Sequence, residues 1–191
     1  MDIKSVEIRT LTPELAEDYL NFFDQRAFSD NPDWSGCYCY FPYHDPAHGP
    51  WSQRSATDNR DAISQAIASG QASGFLAYDG DRVVGWCNAN RRSSYPQLRN
   101  LPGDGESTGA TPCFIVDPAC RGMGIASRLL AAAAERFTDQ GVVKMEAGPN
   151  GKAKTSAQNS RGPLSMYVSF GYQVVGEFPD GTVVVEKYLS N

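Results

Sequence analysis

The segment CFIVDPACRGMGIASRLL, residues 113–130, decides how this chain folds. TPCFIV (111–116) has the length and apolar character of a buried strand. A turn follows, then Arg121-Gly122-Met123-Gly124, then the helical run GIASRLLAAAAERF (124–137). That run places Ile125, Leu129, Ala133 and Phe137 on one face. Glycines let backbone approach a ligand with no side chain in the way. The first amides of a helix lack partners within it, and the helix dipole adds positive potential there. Arg121 adds a permanent charge. Residues 121–126 therefore read as a holder for phosphate or pyrophosphate. The other reading of the same spacing is a glycine turn that only packs helix on strand.

Outward from this segment the pattern is that of one mixed domain over 1–191. VEIRTL (6–11) alternates like a strand. Thr12-Pro13-Glu14 then opens a helix carrying Leu15, Tyr19, Phe22 and Phe23. Residues 29–57 form a long aromatic loop rich in Pro and Gly, and Asp58–Ser69 a short amphipathic helix. GFLAY and RVVGWCNANRR flank Asp79-Gly80-Asp81 as a hairpin. After the central helix come a strand (142–147), a polar loop (149–162), a short helix opened by Pro163 and a closing hairpin (172–189). The order, β-α-α-β-β-β-α-β-α-β-β, predicts an α/β (α+β) fold with a largely antiparallel sheet.

The composition excludes several functions. Of 191 residues, 41% are hydrophobic and 20% charged, and the net charge is −5. An acidic chain lacks the basic face of a nucleic-acid or anionic-membrane binder. No apolar run approaches the roughly 20 residues of a membrane span. MDIKSVEIRT lacks the basic start and apolar core of a secretory leader. The five cysteines, Cys37, Cys39, Cys87, Cys113 and Cys120, do not form a secreted disulfide framework, which predicts a reducing, cytoplasmic setting without a structural disulfide.

The glycine pattern does not fit a dinucleotide fold. Ser127 stands where a third glycine belongs, four residues (118–121) separate strand from glycine, and little chain follows Glu146. A P-loop fails for want of Gly-Lys-Ser/Thr. Arg121-Gly122-Met123-Gly124-Ile125-Ala126 instead resembles the acyl-CoA pyrophosphate loop of the GNAT superfamily of N-acetyltransferases. Met166-Tyr167-Val168-Ser169-Phe170-Gly171-Tyr172 resembles that family's second motif, at the expected distance and before a hairpin. The likeness runs roughly over 3–189 and is weakest in the loops 29–57, 93–110 and 149–162.

This resemblance implies a GNAT-like fold of six to seven strands and about four helices. It implies direct transfer of an acetyl group from acetyl-CoA, with no metal, to the amine of a small molecule. A protein N-acetyltransferase and a non-catalytic acyl-CoA sensor are the alternatives. The cofactor set is then Phe114, Ile115 and Val116 for the pantetheine arm, and Arg121, Gly122, Met123, Gly124, Ile125, Ala126 and Ser127 for the pyrophosphate. A backbone amide near Val116 would stabilise the oxyanion. Tyr167 is the expected general acid and Glu146 the expected base, with His44 second. A core tyrosine and a salt-bridged carboxylate are the bland readings of Tyr167 and Glu146.

Trp86 and Asn88, on the third strand, are expected to face the acceptor. Arg91 and Arg92 are expected to be solvated. GCYCYFPYH (36–44) could hold a metal with His44 and His48, but Cys-x-Cys is tighter than the usual spacing of about two to four residues. It is better read as an aromatic wall, with Trp34, Tyr38, Tyr40 and His44 shaping the acceptor site. The closing hairpin is compatible with a homodimer.

Overall fold

The structure is a computed structural model that describes residues 3–155 and 157–189; Ser156, in the loop expected over 149–162, lies outside them. Its elements come in the expected order. β1 (Glu7–Thr10), α1 (Ala16–Gln25) and α2 (Ala56–Ala68) precede the hairpin of β2 (Gly74–Asp79) and β3 (Arg82–Arg91). β4 (Thr108–Val116), α3 (Ile125–Asp139), β5 (Lys144–Ala147) and α4 (Leu164–Ser169) follow, and β6 (Gln173–Glu177) with β7 (Val183–Tyr188) completes the sheet. The strands lie in the order β1-β2-β3-β4-β5-β7-β6. Only β4 and β5 run parallel; every other neighbouring pair is antiparallel.

Several boundaries differ from the sequence reading, and for α2 and β4 the cause is plain. α2 begins at Ala56 rather than Asp58, because Ser55 and Asp58 form a reciprocal capping box. The Ser55 hydroxyl accepts from the Asp58 amide and the Asp58 carboxylate accepts from the Ser55 amide. β4 begins at Thr108, three residues before the apolar run, since pairing with β3 and β5 outweighs the poor strand preference of Gly109.

The core divides across the sheet. On one face α3 and α4 bury Ile125, Leu129, Phe137 and Tyr167 against Cys87 and Met145. On the other, α1, α2 and the aromatic loop bury Tyr19, Phe22, Ile63 and Tyr43 against Leu76 and Trp86. Strand alternation sends Trp86 to one side and Cys87 to the other.

The loop over 29–57 is a series of 3₁₀ turns at Pro32–Cys37, Phe41–Tyr43, Pro46–His48 and Trp51–Gln53. Between the first two, Tyr38 and Cys39 both take φ of 48°, a region that side-chain-bearing residues seldom enter. This presents Cys39 to Cys113 of β4, and the two form a disulfide. The expectation of no disulfide is thereby corrected. The bonded partners are 74 residues apart in sequence, so the Cys37-x-Cys39 spacing carried no sign of the pairing.

α3 packs directly onto the start of β4. A Cβ at Gly109 would sit 2.7 Å from two carbons of the Phe137 ring. Gly109→Ala is expected to destabilise the chain by about 1–3 kcal/mol, the usual cost of overpacking, measured as a lower denaturant midpoint; an unchanged midpoint would show that α3 moves aside freely.

Candidate active site

β4 and β5 pair only through Thr108–Lys144, Gly109–Met145 and Ala110–Glu146. Beyond that point β4 runs on to Val116 without β5, and a cleft of about 420 Å³ opens beside it. Phe114, Ile115 and Val116 form one wall. Arg121, Gly122, Gly124, Ile125, Ala126 and Ser127 form the end wall, at the start of α3. Of the ten expected cofactor residues, nine line this cleft. Met123 does not; its side chain is more than one-third exposed, because the turn points it outward.

The turn is shaped for a ligand. Gly122 and Gly124 have φ of 76° and 86°, and a Cβ on either would meet nothing within 4 Å. Gly124 is the N-cap of α3, and no side chain caps the first-turn amides. These donors, bare backbone with open space above it, fit a pyrophosphate. Arg121 is placed differently from a free anion ligand. Its guanidinium pairs with Asp30, with Nη2 3.0 Å from Oδ1, and its Nε donates to the Val116 carbonyl. The Arg121 guanidinium holds the Asp30 carboxyl below its ordinary range.

The third wall comes from the segment after β5. The Phe114 amide donates to the Ser160 carbonyl at 2.7 Å. The Tyr167 hydroxyl, fully buried on α4, donates to the next carbonyl, Arg161, at 2.9 Å. Two consecutive carbonyls thus cap an amide on β4 and a phenol on α4. Burial raises the Tyr167 hydroxyl well above its ordinary range. Ser165, Met166 and Ser169 of α4 face the cleft, while Tyr167 stands behind its wall. Ser165 and Ser169, four residues apart on one helical face, and Asn31 after α1 were missed in the sequence. The i, i+4 serines flanking the Tyr167 motif were the available signal.

A second chamber of about 400 Å³ adjoins the first and shares Phe28, Trp34, Ile115 and Ser160 with it. Its remaining walls include Asp33, Trp51, Arg54 and the Cys39–Cys113 disulfide. Of the six residues expected at the acceptor, Trp34 alone lines these chambers. Tyr38 donates to Asp24 at 2.7 Å, and Tyr40 lies under the Arg54 guanidinium. The His44 ring is buried, with Nε2 2.9 Å from the Gly49 carbonyl oxygen. Trp86 is fully buried edge-on to Tyr19. Asn88 is fully buried too, and its Oδ1 accepts from Tyr43 at 2.8 Å and Tyr95 at 2.7 Å. Burial pushes Tyr43 up to about 12, which keeps it a donor. Apart from Trp34, these side chains hold the loops to the sheet.

Glu146, the expected base, sits in two ion pairs. Its Oε1 lies 2.7 Å from Lys144 Nζ and its Oε2 3.1 Å from Arg92 Nη1, and it lines neither chamber. Arg92, expected in solvent, is 3% exposed and also donates to the carbonyls of Pro102 and Gly103. The pair closes the base of the 92–107 loop. Among the described residues no three His, Cys, Asp or Glu side chains are grouped to hold a metal ion, and no helix is long and apolar enough to cross a membrane.

The site thus lies in a mixed seven-stranded sheet, splayed at its parallel pair beside a glycine-capped helix. Solved structures share it at low identity. An N-acetyltransferase related to GCN5 from Kribbella flavida superposes with a TM-score of 0.63 at 18% identity, covering 97% of this chain and 99% of the other. The PaiA N-acetyltransferase of Thermoplasma acidophilum, solved with coenzyme A, gives 0.60 at 15%, covering 96% and 99%. The ribosomal-protein-S5-alanine acetyltransferase of Vibrio fischeri gives 0.63 at 14%, covering 100% and 97%. No curated protein matches. The family model for the acetyltransferase (GNAT) family matches residues 13–159, and the chain belongs to that family.

The disulfide sets a measurable expectation. Alkylation of the unfolded, unreduced protein should label three thiols, Cys37, Cys87 and Cys120. Cys39→Ser should cost about 2–4 kcal/mol of stability, because it frees a long loop. Five labelled thiols and an unchanged melting temperature would contradict the bond.

Proposed function

We propose that the chain, as one domain over 1–191, moves an acetyl group from acetyl-CoA to the primary amine of a small molecule, with both substrates bound together. The observation that carries this reading is the contiguity of the two chambers through Phe28, Trp34, Ile115 and Ser160. One has the donors for a pyrophosphate. The other has the volume of a small-molecule site and is walled largely by the aromatic loop. Asp33 adds a carboxylate to its wall, opposite in charge to the Arg54 guanidinium that also lines it.

Acetyl-CoA, when bound, supplies an activated thioester and a thiolate leaving group. The backbone of residues 121–126 holds its pyrophosphate, with the Ser127 hydroxyl beside it. Phe114, Ile115 and Val116 present the strand edge left unpaired by β5. The Phe114 amide, two residues before the expected position near Val116, serves the developing oxyanion once Ser160 releases it. Tyr167 protonates the departing sulfur once its hydroxyl turns from Arg161. Both roles require the Ser160–Gly162 segment to withdraw.

A non-catalytic acyl-CoA sensor is the second reading, favoured by that same capping of Phe114 and Tyr167. The cytoplasm is the proposed setting, since acetyl-CoA is drawn from there; the Cys39–Cys113 bond is then an exception to its reducing poise. β6, an edge strand with Val174 and Val175 exposed, is the proposed surface for a homodimer.

Thiol release with a panel of small amines tests the reading. Turnover on at least one amine is expected, and Tyr167→Phe should lower kcat about 100-fold or more at saturating acetyl-CoA. Calorimetric binding of CoA with no turnover on any amine would select the sensor. Gly124→Val should weaken CoA binding at least tenfold, since it forces a side chain into φ of 86° at the pyrophosphate site.

A further inference from the structure

We infer that Thr111 is a positioning residue for the transfer: its hydroxyl donates to the Tyr167 oxygen, aims the phenol, and stabilises the tyrosinate left when Tyr167 gives up its proton. This rests on the proposed role of Tyr167 as general acid. Thr111 Oγ1 lies 3.3 Å from the Tyr167 hydroxyl, and either oxygen could be the donor. Hydrogen-bond accounting assigns the direction. The Arg161 carbonyl can only accept, and it lies 2.9 Å from the same hydroxyl. A phenol has one proton, and it goes to the carbonyl. Thr111 must then donate to the phenol oxygen. Thr111 is fully buried, and among the described residues its hydroxyl has no other partner.

The backbone explains why a threonine of β4 reaches α4 at all. Asn88 of β3 faces Cys113 and Asn90 faces Ala110, so two steps on β3 oppose three on β4. The extra residue falls within Thr111-Pro112, a bulge that re-aims the side chain. Pro112 has no amide to offer the ladder, which suits it to that place. The bulge lies just past Ala110–Glu146, the last pair between β4 and β5. Thr111 therefore meets the gap where α4 inserts Tyr167.

The chemistry gives the hydroxyl a task. The amine nitrogen forms the new C–N bond, the C–S bond breaks, and the electron pair leaves on sulfur. The Tyr167 O–H proton passes to that sulfur, and the phenol oxygen keeps its electron pair. The Thr111 hydroxyl already points at that oxygen and bonds more strongly once it is charged. The proton released by the amine nitrogen restores the phenol, so the cycle balances as amine plus thioester to amide plus thiol. Burial raises the Tyr167 hydroxyl, and the bond from Thr111 opposes that rise. Removing Thr111 therefore makes Tyr167 a poorer acid.

The test is a double-mutant cycle with Thr111→Val, Thr111→Ser, Tyr167→Phe and the Thr111→Val/Tyr167→Phe pair, following kcat and the calorimetric Kd for CoA. Thr111→Val is expected to lower kcat about tenfold or more, the loss typical of a bond to a charged oxygen, with Kd within about twofold by the same reasoning. Thr111→Ser should restore most of kcat, and Thr111→Val should add nothing to Tyr167→Phe. A packing role would instead give additive losses and no rescue by serine, and would overturn the inference. Wild-type kcat in Thr111→Val beside a slow Tyr167→Phe would also overturn it while leaving the acid role intact. Wild-type kcat in Tyr167→Phe would remove the acid role itself. Should Thr111→Val not fold, Thr111→Ala carries the same comparison.

Discussion

The parting of β4 from β5 after Ala110–Glu146 governs the rest of the molecule. Parallel strands satisfy one another's backbone only while they stay about 5 Å apart. Once they part, Phe114 and its neighbours carry amides and carbonyls that must find other partners. Ser160 supplies one of them, α4 fills the space with Tyr167, and the remainder opens as a cleft. The splay is held open from both sides of the sheet. α3 packs on the paired half through Phe137 against Gly109. Cys39 fastens the unpaired half through Cys113.

The aromatic loop shows how function and stability divide between neighbouring residues. Tyr38, Tyr40, Tyr43 and His44 are spent on Asp24, Arg54, Asn88 and Gly49. Those contacts hold in place a loop that has no regular helix or strand of its own. Asn88 joins two loops at one oxygen, through Tyr43 and Tyr95. That anchoring leaves Trp34 and Trp51 facing the second chamber. Arg92 and Glu146 do similar work beneath the 92–107 loop, where a buried charge is stable only with its partner and its carbonyls.

The end wall of the cleft was legible in the sequence because it is local. Arg121 to Ser127 are consecutive, and glycine spacing with helix geometry is enough to place bare amides at one helix end. The order of elements was legible for the same reason, since alternation and helical periodicity are read within about a dozen residues. Trp86 and Asn88 could not be placed this way. Alternation showed that they share a face, but not that Tyr19, Tyr43 and Tyr95 would cover it.

Local pattern thus determined the sheet, the helix that caps it and the residues from Phe114 to Ser127 that line the cleft. Tertiary structure alone decided that Cys39 meets Cys113, that Glu146 is taken by Arg92 and Lys144, and that Ser160 and Arg161 cover Phe114 and Tyr167. Each of those pairings joins groups whose chain separation and backbone path carry no periodic signal. The two cysteines are 74 residues apart, and a bulge at Thr111-Pro112 turns one face of a strand to meet another element. Periodicity can say which face a side chain takes; only packing in three dimensions says what meets it there.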